Sequence, residues 1–183
     1  MFLIILVLIL ILLVLVSYLN NKTSTISPLW HGNIEKLTNN NTDWRKVIHT
    51  SPNLQIALMA PPTGQELGWE VHPDNDQFFR FESGKGRLQI RDLNNNTQTI
   101  EVHDGDAAVV TKGTYHNVIS DDTLKLYTIY GPPHHPHNTI DHTHNDEIIR
   151  EKQNLRAQIN TPEGIHHLQQ FRDTGISIKF SIE

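Results

Sequence analysis

The sequence predicts an all-β fold, a double-sheet jelly-roll barrel, with an N-terminal transmembrane helix before it and short C-terminal helices after it. Three observations carry this. From Leu54 to Tyr130 the chain alternates short β-rich runs with turn signals, as a barrel of antiparallel strands requires. Ahead of that region, Phe2 to Val16 is an unbroken run of Leu, Ile, Val and Phe. Beyond Pro132-Pro133 the pattern changes to helix-forming residues. The expected organisation is an anchor over 1–19, a polar tether over 20–50, the barrel over 51–133, and a His-rich loop with a helical extension over 134–183.

Composition fits one modest domain. A chain of 183 residues is long enough to bury a core in a single domain. A net charge of −5 offers no basic surface, so no nucleic-acid partner is expected. The chain has no cysteine, which excludes disulfides, thiolate metal sites and thiol nucleophiles.

At the N-terminus, Ser17-Tyr18-Leu19 extends the apolar run before Asn20-Asn21-Lys22. Eighteen residues at 1.5 Å rise reach about 27 Å as a helix, enough to span a hydrocarbon core. No basic segment precedes the run and no small-residue cleavage site follows it, which argues for an uncleaved anchor over a signal peptide. Lys22, Lys36, Arg45 and Lys46 all follow the span, so the positive-inside tendency puts the C-terminal domain in the cytosol, at a host membrane if the gene is viral. The alternative is a secreted or luminal protein after signal cleavage, for which the sequons at Asn21, Asn40 and Asn95 would speak.

The tether is poor in apolar periodicity, with a short ordered piece expected around Leu29-Trp30 and over Ile34 to Leu37. Eight strands follow: Leu54 to Ala60, Trp69 to His72, Gln77 to Glu82, Arg87 to Asp92, Thr97 to Val102, Ala107 to Thr111, Thr114 to Ser120 and Leu124 to Tyr130. Gly84-Lys85-Gly86, Asn94-Asn95-Asn96, Asp104-Gly105 and Asp121-Asp122 read as hairpin corners. Asp146 to Ile159 carries a partial apolar stripe and reads as a helix, Glu163 to Phe171 as a second one, and Gly175 to Ile182 as an edge strand.

Within the barrel, Glu70-Val71-His72 places a carboxylate and an imidazole on one face of a strand, because successive side chains point to opposite sides. Pro73 to Asp76 reads as a tight turn that returns Gln77 to the same cavity. His116 supplies a fourth donor from the strand after Gly113. Glu70, His72, Gln77 and His116 form an N₂O₂ set with one carboxylate, suited to a divalent metal such as Fe, Mn, Ni or Zn. Phe79 and Phe81 share the parity of Gln77 and are expected to line the pocket floor, with Phe78, Arg80 and Glu82 facing the other way. Tyr115, Tyr127 and Tyr130 read as ordinary barrel aromatics. The histidines from His134 to His144 read as a solvated loop capping the barrel mouth rather than a second metal site.

Gly68 to Gly86 and Gly105 to Ser120 resemble the two motifs of the cupin superfamily. Glu70 stands where the first motif has its first His, His72 matches the second His, and Gln77 stands at the Glu position. In the second motif Gly105, Gly113 and His116 match, while Thr111 replaces the usual Pro and Ser120 the usual Asn. The string Glu70 to Phe78, with Leu124 to Pro133 downstream, is similar to a subgroup of small single-domain cupins described as mannose-6-phosphate-isomerase-like. The resemblance implies a jelly roll, a barrel metal and a homodimer through a sheet face. Function stays open between two classes. One is a metal-dependent oxygenase or isomerase acting on a small polar molecule, with no general base identifiable beyond the ligands. The other is a degenerate, metal-free cupin that binds a small ligand without turnover.

Overall fold

The computed structural model describes residues 29–92, 94 and 96–159. The expected anchor, the first part of the tether, the helix over Glu163 to Phe171 and the strand over Gly175 to Ile182 lie outside the described residues. Among the described residues no helix is long and apolar enough to cross a membrane.

The ordered piece expected near Ile34 is a helix, α1 (Ile34–Asn39), capped by Asn33, whose side chain accepts from the Lys36 amide at 2.9 Å. Strand β1 (Arg45–Thr50) follows, in a stretch whose Arg-Lys start reads as tether. Its inward Arg45 and Val47 are buried, and it pairs antiparallel with β2 (Gln55–Met59). Then come β3 (Asp76–Arg91), β4 (Thr97–His103), β5 (Ala107–Val110), β6 (Tyr115–Gly131), β7 (Ile140–Asp141) and α2 (His144–Ile159).

Two pairs of expected strands are each continuous. Gln77 to Glu82 and, but for its last residue Asp92, Arg87 to Asp92 belong to β3; Thr114 to Ser120, but for Thr114, and Leu124 to Tyr130 belong to β6. The strands β3 and β6 pair along their whole length, from Asp76 opposite Gly131 to Arg91 opposite Tyr115, with register shifts between Phe81 and Gly86. Gly84-Lys85-Gly86 and Asp121-Asp122 are therefore bulges inside long strands, not hairpin corners. The reason is steric: a Cβ on Gly84 would lie 2.3 Å from the Asp122 carbonyl oxygen, and one on Gly86 2.3 Å from that of Ile119, so only glycine admits so close a strand. The extra residues also switch parity. Inward positions of β3 are Gln77, Phe79 and Phe81 before the bulge, and Gly86 and Leu88 after it.

Each half of this long ladder has its own neighbours. The Gln77 to Arg80 half of β3 pairs with β5, and the matching half of β6 with β2, β1 and β7 beyond. The Lys85 to Arg91 half pairs with β4, and the start of β6 is edged by Gln65 to Glu70. One apolar cluster joins both halves: Met59, Phe79, Phe81, Leu124 and Leu126 from the first, Leu67, Leu88, Val102 and Val118 from the second. These are the two packed layers of a jelly roll.

The segment after β6 closes one side of the barrel. Buried Gln55 holds it: its Oε1 accepts from the His135 amide at 2.8 Å, and its Nε2 donates to the His135 carbonyl at 2.8 Å. The His135 ring is buried against Tyr130, with ring centroids 5.1 Å apart. That corrects the expectation of a solvated loop at His135, although His137 and His142 are exposed. Helix α2 starts two residues before the expected Asp146, because Thr143 and Asp146 cap it reciprocally. It is fastened by a forked Arg150–Asp141 pair at 3.0 and 2.9 Å, by His144 stacked on Trp44 at 4.5 Å, and by Glu147, which pairs with Arg45.

Two stability predictions follow from this packing. Gly84→Ala should cost about 3 kcal/mol, the sum of a left-handed backbone and a steric overlap, whereas Gly64→Ala, at φ +80° with open space around it, should cost about 1 kcal/mol. Urea denaturation of both variants measures the difference, and equal losses would refute the bulge argument. For His135, burial, reinforced by the Arg45 charge, pushes the imidazole well below its ordinary value. The unfolded chain therefore binds the proton that the folded state refuses, so stability falls as pH drops below about 6.5, by at most about 1.4 kcal/mol per pH unit. His135→Gln should flatten the fall in urea midpoint between pH 7 and pH 5.5, and an unchanged slope would remove His135 as its source.

Candidate metal centre

The segment from Ala60 to Asn75 carries Pro61, Pro62 and Pro73, which lack an amide hydrogen, and Gly64 and Gly68 at positive φ. It forms no regular strand, contrary to the expectation at Trp69 to His72. Instead it runs along the start of β6 through separate pairs. The Gly64 amide donates to the Ser120 carbonyl at 2.8 Å and the Leu67 amide to that of Val118 at 2.9 Å. Glu70 and His116 exchange both backbone bonds, at 2.9 and 3.0 Å. Residues opposed in this way present their side chains on the same face, so the carboxylate meets the imidazole by register. The Gly113 amide, donating to the His72 carbonyl at 2.8 Å, extends this pairing. The donors thus come together across the edge of β6 and not within one hairpin.

Gln77 arrives from β3, whose far half folds back over the same cavity. His116 Nδ1 lies 2.9 Å from the Thr114 carbonyl, which can only accept, so Nδ1 carries a proton and Nε2 is the nitrogen turned to the cavity. That Nε2 faces two oxygens, Gln77 Oε1 at 2.9 Å and Glu70 Oε1 at 3.3 Å. His72 Nε2 lies 3.6 Å from the same Glu70 oxygen. Both His72 ring nitrogens and Gln77 Nε2 are buried without a hydrogen-bond partner. Donor atoms of Glu70, His72 and His116 all lie within 4.8 Å of one another, and among the described residues the histidines from His134 to His144 form no second such group.

Charge and solvent are unevenly shared. His72, Gln77 and His116 are buried, while the Glu70 side chain keeps 25% of its surface. Burial pushes the Glu70 carboxyl upward, but its contacts with His116 and His72 outweigh this and hold it well below the usual carboxylate range. It is an anion at neutral pH, set among two imidazoles and one amide.

Phe79 packs its ring edge-on to His116, with centroids 5.9 Å apart, as the expected pocket floor. Phe81 instead stacks on Phe79 at 6.2 Å and belongs to the apolar core, because two residues along the strand carry it about 6.6 Å further. Sequence reasoning passes over three neighbours. Tyr130 lies edge-on to His72 at 5.6 Å, His134 at 4.2 Å, and His135 behind Tyr130. The parity of β6 contained the signal for Tyr130, since it shares the inward even positions with His116. Burial drives the Tyr130 hydroxyl far above its usual range, so it remains a proton donor. The contacts of His134 and His135 depend on loop closure and have no counterpart in local pattern.

Comparison with known proteins agrees with this geometry. The sequence profile of the cupin domain matches residues 57–130. The chain is 38% identical over 122 residues to the uncharacterised protein YrkC of Bacillus subtilis, spanning 65% of this chain and 66% of the relative. It is 38% identical over 112 residues to an uncharacterised protein of Acanthamoeba polyphaga mimivirus, covering 60% of this chain and 69% of that one. A crystal structure from Bacillus halodurans superposes with a TM-score of 0.64 at 38% identity, covering 67% of this chain and 96% of that chain. The cupin-domain match, the jelly-roll fold and the 38% identity to these relatives make the chain a member of the cupin superfamily.

Proposed function

We propose that this protein is a membrane-anchored cupin that holds one divalent metal through Glu70, His72, Gln77 and His116 and works on a small polar molecule. One observation carries the reading: His116 Nε2 and the Gln77 and Glu70 oxygens converge at 2.9 and 3.3 Å, beside a buried His72 ring with no hydrogen-bond partner. A divalent cation bound there would take the place of any proton on Nε2 and draw on all of these donors together. The set of two imidazoles, one carboxylate and one amide suits Fe, Mn, Ni or Zn, and leaves coordination positions for a ligand. When bound, such a metal supplies Lewis-acid polarisation or dioxygen chemistry of the oxygenase or isomerase kind. The residues do the rest. Thr114 fixes the His116 tautomer through Nδ1, the Glu70 carboxylate offsets the metal's charge, and Phe79 backs the imidazole against movement.

A second reading, a metal-free module that binds a small ligand without turnover, is favoured by Gln77. Its neutral amide, turned over, would donate to His116 Nε2 at the same 2.9 Å and satisfy that nitrogen without a metal. The subgroup similar to mannose-6-phosphate isomerases and the anchor over Phe2 to Leu19 belong to both readings.

The metal reading predicts close to one divalent ion per chain in the full-length protein purified in detergent, by elemental analysis after reconstitution with Fe, Mn, Ni and Zn separately. His116→Ala should lose it, and Gln77→Glu should tighten it by at least about tenfold, since carboxylate is a stronger donor than amide. Absence of stoichiometric metal under every condition would leave the metal-free module. For the anchor, the intact chain should stay in the membrane pellet through alkaline carbonate washing, and release of a shortened chain beginning near Asn20 would show a cleaved signal instead.

A further inference from the structure

Arg45 is 1% exposed, and its partner on α2, Glu147, only 6%. The Glu147 carboxylate is ion-paired with Arg45 and accepts from Trp44 Nε1 at 2.5 Å. Arg45 Nε and Nη1 are both left buried with no hydrogen-bond partner. As a structural device this pair is poor: replacing a buried ion pair by neutral residues of similar volume is commonly neutral or stabilising, and an unmet guanidinium N–H adds a desolvation cost. What an arginine fork fits is a planar carboxylate taken through two nitrogens at once, and Glu147 fills only part of the fork.

The position of Arg45 relates it to the metal centre. It lies on the inward face of β1, two residues before Val47, and Val47 shares a buried cluster with Ala57 and Tyr130. The Tyr130 ring in turn contacts His72. Along the rows of the sheet between them stand Val47, Ala57 and Thr128, all small. The Arg45 charge is felt at Glu70, Tyr130, His134 and His135, which places it in the field of the same interior.

We infer that Arg45 is a recognition residue for a small carboxylate ligand, and that Glu147 on the C-terminal helix is an internal carboxylate which that ligand displaces. The ligand's carboxylate forks onto Arg45 while its other end extends toward Glu70, His72 and His116. The second half rests on the metal reading above, and the carboxylate half does not. Binding then loosens one of the ties of α2, because Trp44 and Arg45 release Glu147 together.

The test uses the full-length chain in detergent, with acetate, pyruvate and malonate as probes and malonamide as the neutral control. Tryptophan emission, sensitive to the Trp44–Glu147 bond, and titration calorimetry are the readouts. Saturable binding of at least one carboxylate, with no response to malonamide, is expected. Glu147→Gln should tighten it by about tenfold or more, as an internal competitor is removed. The double variant Arg45→Met with Glu147→Gln removes both buried charges, so its thermal transition should persist while carboxylate binding is lost. Binding by the double variant equal to that of the unmutated chain, or no carboxylate response in either the unmutated chain or Glu147→Gln, would overturn the inference. Repeating each titration after chelation separates the two readings. Carboxylate binding that survives chelation and still needs Arg45 supports the inference even if no metal is ever found. Binding that vanishes on chelation and is indifferent to Arg45 refutes the inference and leaves the metal reading standing.

Discussion

Everything about this site depends on one ladder being bent. Gln77 pairs with Tyr130 near one end of the β3–β6 ladder and His116 pairs with Ile90 near the other. In a straight ribbon the fourteen positions from Tyr130 to His116 would separate them by about 45 Å. Their side chains instead meet at 2.9 Å. The bend is located where the register shifts, between Phe81 and Gly86, and it is permitted by glycines whose Cβ atoms would collide with the facing carbonyls. The apolar core and the candidate metal site are therefore consequences of the same fold-back: Phe79, Phe81 and Leu126 close against Leu88 and Val118, and the polar donors meet just beyond them.

The second constraint is electrostatic. The interior holds two polar groups of opposite character, a lone-pair-rich cluster at Glu70, His72, Gln77 and His116, and a cation at Arg45 balanced by Glu147. Each is incompletely satisfied by the chain itself, and buried polar groups left so are costly. The donor types of the cluster suit a cation, and the fork of the guanidinium suits a second carboxylate contact. A protein selected for stability alone would fill such positions with apolar side chains, as it does along Met59, Phe81 and Leu126. Departures of this kind are where folds carry function. Substitution of Glu70 and Gln77 for more common cupin ligands keeps a single negative charge in the site, but moves it to the residue that reaches solvent.

How much could be read beforehand depends on the range of the interaction. Strand faces were legible because side-chain alternation is local: Gln77 and Phe79 point inward and Phe78 and Arg80 outward, as the period of two requires. Helix α2 was legible from composition and its partial apolar stripe, though not its capped start at His144. Misreadings cluster where one residue type serves two geometries. Glycine at 84 and 86 suits a hairpin corner and a bulge equally, and only the carbonyls of Asp122 and Ile119 on the facing strand distinguish them. Strand β1 was missed because Arg45 reads as a surface cation until Glu147, more than a hundred residues later, buries it.

The sequence by itself determined the kinds of donor in the barrel, their two-motif spacing, and the absence of thiol chemistry, since these follow from residue identity and periods of two. Tertiary structure decided which edge those donors meet across. It paired Glu70 with His116 along β6 where the local pattern suggests a hairpin with β3, and it brought Tyr130, His134 and His135 around His72. The physical reason is that alternation sets a side chain's face but not its strand's neighbour. Neighbours are chosen by chain closure and by which backbone amides remain to be paired, and prolines at 61, 62 and 73 removed the local choice.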